Sequence, residues 1–303
     1  MTQNVLVTGG TGLLGQDVLT VFSEAGYTVH NISRRSIPDR LVNHWKGDLT
    51  DNNFLSSTLR AIDPSIIVHC AAYVDLEYCE LNKDSVDSLH VAATQELASY
   101  KPTETRFIYI STDAVFDGKD GNYSEDSPVR PLNYYSKSKL VAEHVAMSHN
   151  VHSLVVRTNI YGFHQPVGNS LLEWALAGLM RGKQINGFDD VFFNPLYTKQ
   201  LATIILEFSQ NSSQVSGVLH AGCRGQISKF MFLRSVAAHF GLDETLVQRS
   251  SIGGSQVSVA RPMNTTLNLQ KLSSHIAEIP TLEAGLICLY SDYKNTVGNK
   301  SNI

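Results

Sequence analysis

The chain has 303 residues, of which 43% are hydrophobic, and a formal net charge of −4 at pH 7. This length and apolar content suffice for a nucleotide-binding domain and a smaller lobe, whereas the scattered Lys and Arg residues form no basic surface for nucleic acid or an anionic membrane. No apolar run approaches the roughly 20 residues that cross a bilayer, and the N-terminus leads directly into a predicted strand. We therefore expect a cytoplasmic protein with neither nucleic acid nor a membrane as a partner.

The cysteine and histidine patterns indicate neither disulfides nor a metal site. The four cysteines have no Cys-x-x-Cys spacing and are too few to cross-link a chain of this size, so we expect free thiols. The 11 histidines include no His-x-x-x-His pair beside a carboxylate. We therefore predict no structural or catalytic metal ion.

Predicted strands and helices alternate along the first half of the chain. Short apolar runs rich in β-branched residues predict strands over 4–8, 27–32, 66–72, 106–111 and 153–157. Apolar residues at helical spacing predict helices over 13–22, 82–100 and 134–149. This alternation predicts an α/β fold with a Rossmann-type doubly wound parallel sheet.

The alternation becomes irregular after Tyr161, where a helix is predicted over 171–181 between Gly- and Asn-rich pieces. We therefore predict a dinucleotide-binding domain over 1–160 and a smaller, mainly substrate-binding lobe over 161–303, with some segments returning to the first domain. The polar residues 293–303 are expected to fray as a tail.

A glycine-rich loop lies between the first predicted strand and the first predicted helix, where a helix N-terminus can receive a pyrophosphate. Its spacing is Gly-x-x-Gly-x-x-Gly. Gly9 would allow the tight turn, Gly12 would let the backbone approach the phosphates, and Gly15 would permit close packing of helix on strand. The predicted dinucleotide contacts in this loop are Gly9, Thr11, Gly12, Leu13, Leu14 and Gly15.

The end of the second predicted strand indicates which dinucleotide binds. No acidic residue is present there to bind the ribose 2′-hydroxyl of NAD, whereas Arg34 or Arg35 could pair with a 2′-phosphate and stack on adenine. NADP(H) is therefore the predicted cofactor, and NAD(H) is the alternative. Asp48 and Leu49 lie where a carboxylate could accept a hydrogen bond from the adenine amino group, or they form an ordinary surface turn.

Tyr135 and Lys139 stand one helical turn apart, so their side chains share a helix face. A free phenol loses its proton near pH 10, and a neighbouring cation such as Lys139 would lower the pKa of Tyr135. Ser111 and Thr112 end a predicted strand about 20 residues earlier. A glycine loop, a hydroxyl pair and a Tyr-Lys pair occur here in the order that a hydride-transferring site requires.

Six segments together resemble the extended short-chain dehydrogenase/reductase superfamily and, within it, the dTDP-4-dehydrorhamnose reductase (RmlD-like) family. The most subfamily-specific segment reads Ser-Thr-Asp-x-Val-Phe-Asp-Gly, and a late Ala-Arg-Pro-Met-Asn run completes the pattern. The segments cover nearly the whole chain in the family's order: 7–15, 47–51, 69–73, 110–118, 131–140 and 260–267.

The resemblance implies a role for each matching residue. Thr112 would bind the substrate carbonyl, Tyr135 would donate the proton, and Lys139 would lower the Tyr pKa and hold the nicotinamide ribose. Residues at the end of the fourth strand would line the cofactor: Ala71, Ala72 and Tyr73. Arg261 is the candidate for the diphosphate of a sugar nucleotide, because its guanidinium matches phosphate oxygens, and a buried structural salt bridge is the alternative.

The chain departs from the family pattern at three positions. His90 stands where the family usually carries an Asn that supports the active-site strand ends, and Ala114 replaces a common Tyr. Asn159 occupies a position where dehydrorhamnose reductases tend to have Trp, and it looks more like the sugar-nucleotide epimerases. We therefore expect an altered sugar pocket, with Asn159 as a substrate contact. Further candidates for its lining are Asn169, Trp174, Phe192, Phe193, Asn194 and Tyr197.

The resemblance supports one leading function and two alternatives. The leading prediction is an NADP(H)-dependent reductase of a nucleotide-linked 4-keto-6-deoxy sugar, in which Tyr135 supplies the proton. The first alternative is an epimerase or dehydratase of the same superfamily. The second is a cofactor-binding regulatory subunit similar to the β subunit of methionine adenosyltransferase, and the family's habit suggests a homodimer in each case.

Overall fold

The computed structural model describes residues 3–36, 42–101, 103–210, 215–254 and 258–300. The strands in this part of the chain are β1 Asn4–Thr8, β2 Thr28–Ser33, β3 Val42–Lys46, β4 Ile66–His69, β5 Arg106–Ile110, β6 Leu154–Thr158, β7 Ile160–Tyr161, β8 Ile185–Phe188, β9 Phe192–Phe193, β10 Leu196–Tyr197, β11 Gly217–Ala221, β12 Ile227–Ser228 and β13 Val247–Ser250.

The helices are α1 Gly15–Glu24, α2 Asn52–Ile62, α3 Leu76–Leu81, α4 Lys83–Asp87, α5 Ala93–Ser99, α6 Tyr134–His149, α7 Leu171–Leu179, α8 Thr198–Gln210, α9 Lys229–His239, α10 Gln270–Ser273 and α11 Leu282–Lys300. A π-helical turn over Ser88–Ala92 joins α4 to α5. None of the described helices has the length and apolar character that a membrane span requires.

A seven-stranded parallel sheet forms the centre of the fold, in the order β11-β6-β5-β4-β1-β2-β3. Alternate residues of β1 enter different hydrophobic clusters, as the two-residue period of a strand requires: Val5 and Val7 belong to one cluster and Leu6 to the other. The first cluster includes apolar side chains of α1 and α8, and the second includes those of α2, α5 and α6. The predicted doubly wound Rossmann-type sheet is therefore confirmed.

The strand order reverses between β1 and β4, which are neighbours in the sheet although two strands separate them in sequence. In an open parallel sheet, such a reversal leaves a crevice at the carboxyl ends of the strands, where ligands bind. The loops that follow β1, β4 and β5 carry the glycine loop, residues 71–73 and Thr112, which are among the predicted site residues. The topology therefore brings these three loops to one edge.

A third hydrophobic cluster lies beside the main sheet and is formed largely by α7, α9 and α11. Three two-stranded sheets accompany it, pairing β7 with β10, β8 with β13 and β9 with β12. β11 follows residue 160 but belongs to the main sheet, in keeping with a chain that crosses between the two regions. The predicted domain boundary at residue 160 stays a prediction.

The predicted helix over 134–149 coincides with α6, whereas the predicted tail over 293–303 is wrong for residues 293–300. Helix α11 continues to Lys300. The Tyr293 ring packs against Phe163 and Phe240, with ring centroids 5.5 and 5.2 Å apart, and this contact explains why a polar segment stays helical. Residues 301–303 lie outside the described part of the chain.

The buried Glu173 carboxylate organises the segment that precedes α7. It accepts hydrogen bonds from the backbone N–H groups of His164, Gly168 and Ser170 at 2.8–2.9 Å, and it pairs with the His164 ring at 2.7 Å. The Ser170 hydroxyl accepts from the Glu173 N–H, which completes a capping box. Burial alone would raise the pKa of Glu173, but these donors outweigh it and lower the pKa to about 2.

We expect Glu173→Gln to reduce the free energy of unfolding by about 1–3 kcal/mol at pH 7, because an amide cannot satisfy every donor around the carboxylate. The folded-state pKa lies below the unfolded value of 4.5, so the stabilisation is present above pH 4.5 and is lost as the pH falls toward 2. Urea unfolding at pH 7 and pH 3 measures this difference.

The control is Glu283→Gln, which removes an exposed carboxylate that pairs with His239. We expect it to change stability little, because exposed ion pairs contribute little. A Glu173→Gln protein as stable as the wild type at pH 7 would contradict the proposed role of the carboxylate.

Candidate active site

The loop between β1 and α1 is tightly folded against both elements. The Gly12 N–H donates to the Gly9 carbonyl at 2.8 Å, and Gly9 has a φ of +71°, which disfavours other residue types. A Cβ atom at Gly15 would lie 2.2 Å from the Gly9 carbonyl oxygen, so helix and loop meet in backbone contact. The predicted roles of Gly9 and Gly15 in the turn and in packing agree with this geometry.

The same loop offers hydrogen-bond donors at the start of α1. The backbone N–H groups of Leu13 and Leu14 have no acceptor within the described part of the chain. A Cβ at Gly12 would contact the Gly9 carbonyl oxygen at 3.1 Å and meet no other group within 4 Å, so the space beside Gly12 is open. Free N–H groups at a helix N-terminus and open space beside them fit the pyrophosphate of a dinucleotide.

Two exposed arginines border the loop. The Arg35 guanidinium donates to the Thr11 carbonyl at 3.3 Å, and the Arg34 guanidinium lies 5.8 Å from the centroid of the Tyr73 ring. Both arginines are thus beside the candidate cofactor cleft. Asp48 is also exposed, and its carboxylate accepts hydrogen bonds from the Thr50 N–H and hydroxyl at 3.0 and 2.9 Å.

Those bonds give Asp48 the geometry of a surface turn, and the Thr50 backbone bond is the largest effect that lowers the Asp48 pKa. Leu49 is buried in the hydrophobic cluster that includes Leu6 and Ile32. Its side chain therefore contributes to the core on this side of the cleft.

The segment after β4 lies directly against the glycine loop. A Cβ at Gly9 would approach the backbone of Ala71 to 2.8 Å, and the Ala71 N–H donates to the Thr8 hydroxyl at 3.3 Å. Two residues later, the Tyr73 N–H donates to Nε2 of His90 at 2.9 Å. The structure thus places Ala71 against the loop, and contact of Ala71, Ala72 and Tyr73 with a cofactor stays a prediction.

Tyr135 and Lys139 lie in the first two turns of α6, which begins where the Asn133 side chain accepts the Ser136 N–H at 2.9 Å. Burial raises the pKa of Tyr135, and a hydrogen bond with the Thr112 side chain opposes this effect. The Tyr135 and Thr112 side chains are therefore close neighbours in the site. The raised pKa differs from the predicted lowering by a neighbouring cation, because burial is the largest effect.

The Lys139 ammonium is buried at the C-terminal end of β5. It donates to the Ile110 carbonyl at 2.7 Å and lies 4.1 Å from the centroid of the Tyr109 ring. Burial lowers the pKa of Lys139 to about 7, and the Glu143 carboxylate opposes this effect by favouring the charged form. Lys139 is thus a buried cation that titrates near neutrality and shares a helix face with Tyr135.

A buried ion pair lies behind Lys139. Glu143 and Arg157 are joined by bonds of 3.0, 3.2 and 2.7 Å, and their side chains are 0% and 5% exposed. The Ser111 hydroxyl donates to the same carboxylate at 2.5 Å. Glu143 was not among the predicted site residues, although it follows Tyr135 and Lys139 at the same four-residue spacing.

His90 occupies the π-helical turn between α4 and α5, and both of its ring nitrogens are engaged. Because Nε2 accepts the Tyr73 N–H, Nδ1 carries the proton and donates to the Ser138 hydroxyl at 2.8 Å. That hydroxyl donates to the Tyr135 carbonyl at 2.8 Å. Burial and the Lys139 charge lower the pKa of His90 to about 3, so the ring is a neutral link between the β4 loop and α6.

Asp113 joins the catalytic and substrate sides of the site. Its buried carboxylate accepts hydrogen bonds from Asn159 at 3.0 Å, Thr265 at 2.5 Å and the Thr112 hydroxyl at 3.3 Å. Burial raises the pKa of Asp113, and the donors and Lys229 oppose this effect. Asn159, a predicted substrate residue, is thus at the site, with its amide N–H bound to Asp113.

Arg261 lies in a segment that contacts the start of α6. The Ala260 carbonyl accepts the Asn133 side chain at 3.0 Å, which places the segment beside the start of α6. Arg261 is exposed and forms no ion pair with any described residue, so the alternative of a buried salt bridge is wrong. Two further residues near Asp113 were not predicted: Lys229 comes from a segment without a motif, and Thr265 lies in the 260–267 segment, where no feature distinguishes it.

Residues proposed as further lining of the sugar pocket separate into different environments. Phe193 lies beneath Lys229, and Asn194 is buried with its amide bonded to the backbone of Leu267. Tyr197 is buried and donates to Asp292, whereas Trp174 is 43% exposed on α7.

Within the described ranges, His, Cys, Asp and Glu form no group of three that could hold a metal ion. The four cysteines are free thiols, as expected.

Comparison with known proteins identifies relatives along nearly the whole chain. The probable low-salt glycan biosynthesis reductase Agl14 of Haloferax volcanii is 29% identical over 298 residues, which cover 95% of this chain and 99% of that protein. Methionine adenosyltransferase 2 subunit beta of Danio rerio is 28% identical over 276 residues, covering 89% and 84%. A structure of dTDP-4-dehydrorhamnose reductase from Bacillus anthracis in complex with NADP has a TM-score of 0.85, 23% identity and coverage of 96% and 100%.

The B. anthracis structure shares the Rossmann-type fold of this chain. A family model described as the RmlD substrate binding domain matches residues 3–294. Because this match spans the glycine loop, the Tyr135 and Lys139 helix and the late Arg261 segment, the chain belongs to the RmlD substrate binding domain family.

Proposed function

We propose that the protein is an NADP(H)-dependent reductase of a nucleotide-linked 4-keto-6-deoxy sugar. The observation that carries this proposal is that Tyr135 is a close neighbour of Thr112, with the buried Lys139 ammonium one turn along α6, at the edge of the crevice that the strand order leaves. A dTDP-4-dehydrorhamnose reductase with the same fold binds NADP, and a relative that covers nearly the whole chain is described as a probable reductase.

The bound nicotinamide would supply the hydride, and the protein would stabilise the charge that develops on the ketone oxygen. Two hydroxyl donors directed at that oxygen stabilise the oxyanion, and one of them supplies the proton. The raised pKa keeps the Tyr135 phenol protonated at neutral pH, which suits an acid in the direction of reduction. Thr112 would orient the carbonyl, because its hydroxyl lies beside that of Tyr135.

Lys139 would stabilise the Tyr135 phenolate that remains after proton transfer. This role requires the ammonium form. Because the pKa of Lys139 is about 7, part of the population is neutral at neutral pH. Glu143 favours that form, and Arg157 and Ser111 hold its carboxylate in place. The ion pair behind α6 would therefore help to keep the catalytic cation charged.

Arg34 and Arg35 would select the phosphorylated dinucleotide. Both are exposed beside the crevice, and neither forms an ion pair with a described acidic residue, so their guanidinium groups are available to a 2′-phosphate. The Arg34 contact with Tyr73 would hold one guanidinium at the adenine side of the cleft.

The epimerase alternative draws on Asn159, which donates one of its two amide N–H groups to Asp113 and keeps the other for a ligand, so it stays open. A cofactor-binding regulatory role stays the second candidate, because methionine adenosyltransferase 2 subunit beta matches most of the chain. The intact set of Thr112, Tyr135 and Lys139 favours turnover.

The first test is oxidation of NADPH by the purified protein with dTDP-4-keto-6-deoxy-glucose or its rhamnose-type epimer. We expect Tyr135→Phe to lower kcat by about 10²–10⁴-fold, the range for loss of a general acid, while NADPH affinity persists. The control is Tyr134→Phe, whose hydroxyl binds Asp87 outside the site and whose loss should leave kcat near the wild-type value. Equal rates in Tyr135→Phe and wild type would exclude the mechanism.

If wild-type protein binds NADPH but oxidises it with neither sugar, reductase activity toward this class is excluded. Co-purification with a methionine adenosyltransferase under those conditions would support the regulatory role.

The second test concerns the cofactor. We expect Arg34→Gln and Arg35→Gln each to lower kcat/KM for NADPH by about ten- to hundred-fold, the value of a lost charge-assisted hydrogen bond, with little effect for NADH. Arg60→Gln, an exposed arginine on α2, is the matched control. Equal losses with both cofactors would argue against contact with the 2′-phosphate.

The third test concerns the charge of Lys139. The ammonium is present below its pKa and lost above it, so Glu143→Gln, which lowers the pKa further, should move the alkaline limb of the kcat profile to lower pH. Ser111→Ala keeps the carboxylate charge and should leave this limb nearly in place. The pH dependence of kcat from pH 5 to 9 measures the limb in both variants. An unshifted alkaline limb in Glu143→Gln would contradict the assignment of this limb to the Lys139 ammonium.

A further inference from the structure

Asn31 is a fully buried amide near the carboxyl end of β2, on the strand face that also carries Val29. Val29 packs in the hydrophobic cluster that includes α1, so an apolar side chain would be expected at residue 31 as well. Burying an amide in such a place costs free energy unless its donors and its acceptor find partners. The contacts of Asn31 therefore indicate why an amide stands here.

The hydrogen-bonding groups of the Asn31 side chain are all engaged. Its oxygen accepts the Gly10 N–H at 3.0 Å, and its two N–H groups donate to the Ser33 hydroxyl at 2.9 Å and to Nδ1 of His44 at 3.0 Å. Because the Gly10 N–H can only donate, the amide oxygen must face the glycine loop. A Cβ at Gly10 would lie 2.4 Å from that oxygen, so the loop and the amide are in direct contact.

The Ser33 hydroxyl extends this network to the segment that carries the two arginines of the cleft. It accepts from Asn31 and donates to the Arg35 carbonyl at 2.7 Å, so the bonds run in one direction from the amide to Arg35. The Arg35 guanidinium donates to the Thr11 carbonyl of the glycine loop at 3.3 Å. The backbone and the side chain of Arg35 are therefore both tied to the loop, the first through Ser33 and Asn31 and the second directly.

The network holds two groups that would bind phosphate at a fixed separation. The glycine loop would present N–H groups at the helix N-terminus to the pyrophosphate, whereas the exposed Arg35 keeps further N–H donors for a 2′-phosphate. Both phosphates belong to one molecule of NADP(H), so a site whose partners are already in place loses less conformational entropy on binding than a mobile one. NAD(H) has no 2′-phosphate and would gain nothing from the position of Arg35.

We propose that Asn31 and Ser33 are positioning residues for the cofactor: they hold Arg35 where it meets the 2′-phosphate and thereby set the preference for NADP(H) over NAD(H). This proposal rests on the proposed function for the identity of the cofactor, but it concerns binding and does not require turnover. Both side chains are buried, so their effect on the cofactor passes through Arg35.

The test is a fluorescence titration of the full-length protein with NADP⁺ and with NAD⁺, which gives the ratio of the two affinities. We expect Ser33→Ala to weaken NADP⁺ binding by about three- to tenfold, the value of one hydrogen bond, and to change NAD⁺ binding by less than about twofold. A general loss of structure would weaken the binding of both cofactors alike, so the ratio separates positioning from damage to the fold.

The matched control is Ser65→Ala. The Ser65 hydroxyl also donates to a backbone carbonyl, that of Asn4 at 3.2 Å, but this carbonyl lies at the amino end of β1, away from the crevice. We expect its loss to leave the ratio of the two affinities unchanged.

A second measurement asks whether the effect passes through Arg35. In an Arg35→Gln background, adding Ser33→Ala should not lower the ratio further, because residues that act through one contact are not additive. Asn31→Ala removes the donor to Ser33 and the acceptor of the Gly10 N–H, and it should lower the ratio in the same direction as Ser33→Ala.

The outcomes distinguish this proposal from the proposed function. A preference for NADP⁺ that is unchanged in Ser33→Ala would overturn the positioning role alone, as would losses that multiply in the double variant. A wild type that binds NADP⁺ no more tightly than NAD⁺ would overturn the positioning role together with the NADP(H) preference. A lowered ratio in Ser33→Ala, in a protein that oxidises no NADPH, would support the positioning role and reject the reaction.

Discussion

The buried ion pair between Glu143 and Arg157 is the interaction on which the arrangement of the active site depends. It joins α6 to β6, and the Ser111 hydroxyl adds the end of β5 to the same carboxylate. Removing one partner of such a pair typically costs about 3–5 kcal/mol, because the other charge stays buried. The pair therefore fixes the helix that carries Tyr135 against the strand end that carries Thr112, and it supplies the negative charge nearest to the Lys139 ammonium.

His90 provides a second connection, between the cofactor crevice and the same helix. A π-helical turn places its ring between the Tyr73 N–H and the Ser138 hydroxyl, and π-turns often occur at functional sites. An Asn at this position would be shorter than the imidazole and would not span the same gap. The low pKa of His90 means that the link carries no charge at neutral pH, so it adds no positive potential beside Lys139.

The fold and the elements that carry the candidate site residues were largely predictable, because they depend on local patterns. Strand periodicity, the glycine loop and the spacing of Tyr135 and Lys139 each lie within a short segment, and α6 has the predicted bounds. Other features depend on contacts between distant segments. Helix α11 extends past Tyr293 because of aromatic partners from elsewhere, and Asp113 gathers Asn159 and Thr265 from separate loops. The direction of the Tyr135 pKa also depends on burial, which the sequence does not reveal.

One half of the candidate site could be predicted better than the other, because the two halves are built differently. The chemical half consists of strand ends and one helix that are fixed by the main sheet, so their positions follow from the order of the elements. The other half consists of Asn159, Thr265 and Lys229, which come from separate segments and meet at Asp113. Because Asp113 is bonded to Thr112, the two halves are joined at one carboxylate. Because Lys229 lies outside α6, a substitution there would change the charge beside Asp113 without replacing any residue of the helix that carries Tyr135.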